Sequence, residues 1–149
     1  MKNHSSVTGF YLETLLLIVV FLSVILVLTQ VFGLAQTQSM RAKQLTEAVV
    51  LAGNAAEAFA ESESPEELLA LLNESGNALP MEDAAGVTAY YASDLKPEAD
   101  GAYRVDVSWL PETTEKGMMV RGVVEVRCGT PGEPVYRLET EAFHPEVRA

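Results

Sequence analysis

The chain has 149 residues, a mass of 16.1 kDa and a formal net charge of −11. That length leaves room for one small domain once about 20 residues are set aside for a membrane segment. Glu13 is the only acid before residue 47, so nearly all the negative charge sits on the C-terminal two-thirds, which argues against a nucleic-acid partner drawn by charge. Cys128 is the single cysteine; it excludes a disulfide framework or a thiolate metal site within one chain, and it reads as a small apolar residue rather than a reactive thiol.

Residues 1–9 form a short polar leader whose only Lys or Arg is Lys2. From 15 to 28 every residue except Ser23 is apolar, and Phe10, Tyr11, Leu12, Val31, Phe32 and Leu34 extend the stretch on both sides. Thirteen Leu, Ile, Val and Phe residues at roughly 0.4 kcal/mol each favour the membrane by about 5 kcal/mol. A transmembrane helix is therefore expected over residues 10–35, with Glu13 near one end, where a charge costs less than at the bilayer centre. Lys2 flanks one side and Arg41 and Lys43 the other, so counting positive charges does not orient it. The short leader before it and the long segment after it imply an N-terminus inside and a head outside. A secretory signal cut after Ala35 is the alternative, because Gly33, Leu34 and Ala35 form a small-x-small pattern ahead of Gln36.

Leu45, Ala48, Val49, Ala52, Ala55, Ala56 and Phe59 recur at spacings of three and four, which carries the helix on over 36–61 as one side of a core. Helix over 10–61 measures roughly 75 Å, of which about 30 Å can lie in hydrocarbon. Ser64, Pro65 and Glu67 are spaced as an N-cap, a first-turn proline and a capping-box acid, so a short helix is expected over 65–74, ended by Gly76.

Beyond a loop holding Pro80 and Gly86, four stretches alternate with period two: 87–92, 103–110, 119–128 and 135–143. Tyr103, Val105, Val107 and Trp109 face one way while Arg104, Asp106 and Ser108 face the other. Turn residues at 97–101, 111–117 and 129–134 separate the strands. The expected class is α+β, a long N-terminal transmembrane helix packed against a four-stranded antiparallel sheet, with an extracytoplasmic head over 36–149.

Catalytic chemistry is thin. His4 falls in the leader and His144 in the tail, neither placed for a triad or a metal cluster. Glu61, Glu63, Glu66, Glu67 and Glu74 read as a solvated face around a helix start, and no 12-residue EF-hand loop is present. No enzyme activity, cofactor or metal is expected.

The first 60 residues carry a resemblance. A polar leader ending in Gly9, then Phe10, then Glu13 early in an apolar helix, resembles the type IV pilin-like family of minor pilins, type II secretion pseudopilins and competence pseudopilins. The segment from Ala48 to Glu57 also looks like the part of minor pilins where the long helix leaves the membrane and packs under the head. The resemblance implies cleavage between Gly9 and Phe10 by a prepilin peptidase, methylation of Phe10, and a structural role in which other pilin-like subunits are the partners. It assigns Glu13 to neutralising the N-terminal amine of a neighbouring subunit inside an apolar bundle. It also implies a single-pass protein of a bacterial cytoplasmic membrane that enters a filament. In this sequence, cutting after Gly9 makes Glu13 the fourth mature residue, where the family usually has the fifth, a difference of about 100° around the helix. An unprocessed anchor presenting a binding head remains open beside this reading, as does a secreted binding module released after Ala35.

Overall fold

The computed structural model describes residues 4–114, 117–129 and 133–145. The chain divides into two compact units, Met1–Ala42 and Lys43–Ala149, and one helix, α1 (His4–Glu61, 58 residues), supplies residues to both.

In the first unit α1 is long and apolar enough to cross a membrane, and its most apolar stretch is entirely unburied. The segment is compatible with a single-pass membrane anchor, as it is with a signal sequence. The few hydroxyls in the stretch are closed onto the helix itself: Thr14, Ser23 and Thr29 donate to the carbonyls of Phe10, Val19 and Ile25 at 2.9, 2.8 and 2.9 Å. Each thereby hides a donor that hydrocarbon would leave unsatisfied. Helix begins at His4, inside the segment expected to be a leader.

In the second unit the remainder of α1 lies on a five-stranded antiparallel sheet: β1 (Ala78–Pro80), β2 (Gly86–Tyr91), β3 (Tyr103–Thr114), β4 (Gly117–Cys128) and β5 (Tyr136–Pro145). The strands follow chain order, each paired with the next, as short connections between antiparallel strands favour. The architecture is α+β with a helix packed on a sheet. Five strands replace the expected four because β1 was hidden: three residues, one of them proline, give no alternation to read. Pro80 is tolerated because β1 is an edge, where a missing N–H costs no ladder bond. Fully buried Asn77 ties the start of β1 to β2, its Nδ2 donating to the carbonyl of Tyr90 at 3.2 Å and its own carbonyl accepting from the Tyr90 N–H at 2.8 Å.

The core joins one face of α1 to the inner face of β2, β3 and β4. Ala48, Leu51, Ala52, Ala55 and Phe59 are buried, while Leu45 and Val49 of the expected stripe are 46% and 43% exposed. The buried face is thus turned toward Leu51, the flank on which Glu47 reaches the sheet. Phe59 packs on Trp109 with ring centroids 4.9 Å apart. Gly122 makes room for that pair, since a Cβ there would come within 2.9 Å of the Phe59 ring. Gly86 is required by both backbone and space: its φ is +151°, and a Cβ would collide with the Val107 carbonyl at 2.2 Å.

A second helix, α2 (Pro65–Leu72), starts as its capping signals predict. The Glu67 N–H donates to Ser64 Oγ at 3.2 Å, and the Glu67 carboxylate accepts from the Glu63 N–H at 2.8 Å. It stops two residues short of the expected 74, capped by Asn73 rather than Gly76, because the chain must turn there to enter β1. β3 and β5 run past their expected ends, to Thr114 and Pro145, and β4 starts two residues early, at Gly117.

Candidate functional site

The residues singled out by sequence lie on consecutive turns of α1. Gly9, Phe10 and Glu13 are all exposed, Phe10 to 67%. Nothing lies within 4 Å of a Cβ built on Gly9, and the Phe10 and Tyr11 rings sit edge-on with centroids 6.3 Å apart. Among the described residues Glu13 has no ion-pair partner, so its carboxylate stands alone on an apolar helix. The Gly9–Phe10 bond sits inside helix that starts at His4, so a peptidase acting there must first unwind that turn.

Two polar assemblies in the second unit went unread in the sequence. The first joins α1 to the end of the sheet. Tyr103, 2% exposed, donates its hydroxyl to the Glu47 carboxylate, whose other oxygen lies 3.6 Å from Lys43 Nζ. Gln44 Nε2 donates to Cys128 Sγ at 3.7 Å. Burial, with the Glu47 carboxylate and Cys128 beside it, pushes the Tyr103 phenol well above its ordinary value of 10.0. Cys128 is half-buried and engaged by Gln44, so it serves as a packing and hydrogen-bonding residue of this junction. The partner of Glu47 is 56 residues away in sequence, beyond any periodicity window.

The second assembly lies on the outer face of the sheet. Asp106, 4% exposed, accepts from Thr88 Oγ1 at 2.7 Å, from Arg104 Nε at 2.9 Å and from Arg127 Nη1. Arg127 also donates to Glu125, and Arg137 bridges Glu125 and Glu139 at 3.4 and 3.0 Å. The register produces this ladder, placing Thr88, Asp106, Glu125 and Arg137 opposite one another on four successive strands. Asp106 holds the Arg104 guanidinium charged, above its ordinary range. Arg104, Thr88 and Tyr90 then wall an open groove of about 410 Å³ completed by Leu79, Pro80, Met81, Glu82 and Asp83.

Such an arrangement fixes strand register and offers polar contacts at a surface. Among the described residues no three His, Cys, Asp or Glu side chains converge as a metal site. The side chain of His144 lies outside the described residues. No family model matches the chain, nor does any curated protein or solved structure.

Proposed function

We propose that this chain is a membrane-anchored structural subunit of the minor pilin or pseudopilin kind, with its N-terminus in the cytoplasm, its head outside and no catalytic role. The observation that carries the reading is α1: one continuous helix offers an apolar, wholly unburied segment and then, with Ala48, Leu51, Ala52, Ala55 and Phe59, the core of a head. A helix that only anchored would have no reason to become the scaffold of the folded domain. Glu13 supports the same reading, since an unpaired carboxylate in an apolar span is tolerable only with a partner supplied from elsewhere. A neighbouring pilin-like subunit would supply that partner as a free amine at Phe10, exposed by a prepilin peptidase.

The placement of the Gly9–Phe10 bond within helix, and of Glu13 four residues into the mature chain, favours a second reading: an uncut signal anchor that presents the head for binding. N-terminal mass spectrometry of the exported protein separates the two. A chain starting at Phe10, methylated, supports the pilin-like subunit; a start at Met1 supports the anchor; a start at Gln36 refutes both and makes the protein a secreted module. Glu13→Ala is expected to leave membrane insertion intact and to impair assembly, and unchanged assembly would count against the filament role.

A further inference from the structure

The apolar segment of α1 has two unlike sides. Ser23, Gln30 and Thr37 follow one another at intervals of seven, the period at which residues of paired helices return to the same seam. Leu26 and Gly33 fall between them, and Leu12, Leu16 and Val19 precede them, at the alternating three- and four-residue steps of that seam. The phenylalanines are elsewhere: Phe10, Phe21 and Phe32, eleven apart, share the opposite side at 67%, 66% and 71% exposure. Val19 and small Ser23 form one edge of a shallow concavity that runs off the seam over Val20, Val24, Val27 and Leu28 toward the phenylalanine side.

One group on the seam is unsatisfied. The Ser23 and Thr37 hydroxyls are closed onto backbone carbonyls at 2.8 and 3.0 Å, but the Gln30 amide is exposed and has no hydrogen-bond partner among the described residues. It lies about 11 Å along the helix from the middle of residues 10–35, inside the roughly 15 Å half-thickness of hydrocarbon. Water is not there to satisfy it. A primary amide is its own complement, donating through NH₂ and accepting through its carbonyl. A second copy inserted in the same sense brings its own Gln30 to the same depth, which an unrelated partner would have to match by chance.

We propose that α1 forms a parallel, in-register pair with a second copy of this chain through the seam of Leu16, Val19, Ser23, Leu26, Gln30 and Gly33, with the two Gln30 amides bonded to each other and the phenylalanines facing lipid. The pairing rests on the membrane location of α1 and does not depend on processing at Gly9.

The test is oxidative cross-linking of the full chain in membranes, in a Cys128→Ala background, with single cysteines at two neighbouring positions. Leu26→Cys, on the seam, gives a disulfide-linked dimer on a non-reducing gel, and Leu28→Cys, on the phenylalanine side, does not. Adding Gln30→Leu to Leu26→Cys lowers the dimer fraction about threefold or more, whereas Gln30→Asn retains it. Equal cross-linking at both positions, none at Leu26→Cys, or indifference to Gln30→Leu overturns the proposal. Alkaline extraction of the same membranes distinguishes the failures. A chain that stays in the membrane without cross-linking refutes the pairing alone, and a chain released by alkali refutes the anchor and the pairing with it.

Discussion

Phe21 and Phe59 are the same residue type in the same helix, yet one is 66% exposed and the other fully buried. The two ends of α1 thus meet apolar surroundings in different ways. In the head the apolar surface is consumed by the chain's own sheet, so shape matters: Phe59 needs Trp109 beside it and Gly122 to leave space. In the N-terminal unit the apolar surface is offered outward, where bulk transfer from water governs and packing within the chain contributes nothing. The sequence differs too: the N-terminal segment is apolar on every side, whereas the head end carries its apolar residues as one stripe beside Gln44, Glu47, Asn54, Glu57 and Glu61.

The comparison breaks most visibly at Phe59. Phe59→Ala is expected to destabilise the head by about 3–5 kcal/mol, the range for an aromatic removed from a packed core. Phe21→Ala should leave the head unchanged, as read by denaturant unfolding of the full chain in detergent through the fluorescence of its single tryptophan, Trp109. The reverse experiment is Leu22→Arg, which costs insertion about 3 kcal/mol and is expected to shift the protein out of the membrane fraction while the Trp109 signal stays native.

The polar assemblies sharpen the contrast at smaller scale. Asp106→Ala strands Arg104 and Arg127, but both guanidiniums reach water, with side chains 48% and 29% exposed. The expected loss is therefore about 2 kcal/mol, below that for a sealed ion pair, with no effect on membrane retention. Tyr103→Phe removes one hydrogen bond to a carboxylate and should cost about 1.5 kcal/mol near neutral pH. That cost also has a pH signature. The folded phenol of Tyr103 titrates above the unfolded value of 10.0, so the folded state holds the proton more tightly. Its contribution is fully present below about pH 10 and is lost as pH rises through the folded value. Burial raises Tyr91 in the same direction, so Tyr103→Phe is expected to shallow the alkaline fall in stability and not abolish it, which unfolding measured from pH 9 upward will resolve.

The amino-acid sequence by itself determined the elements that repeat locally. An unbroken run of apolar residues made the N-terminal part of α1 legible, Ser64-Pro65-Glu66-Glu67 marked the start of α2, and two-residue alternation marked β2 to β5, because in each case the signal lies within one turn or one strand. The seven-residue polar repeat of Ser23, Gln30 and Thr37 is of the same kind. Only the tertiary structure decided which flank of α1 became core, that the three residues around Leu79 pair as a strand, that Glu47 meets Tyr103, and that Asp106 is buried on the outer face of the sheet. All four depend on partners brought together by strand register or by the chain returning on itself, and the free energy of such contacts is written in pairs of distant residues that no single stretch contains.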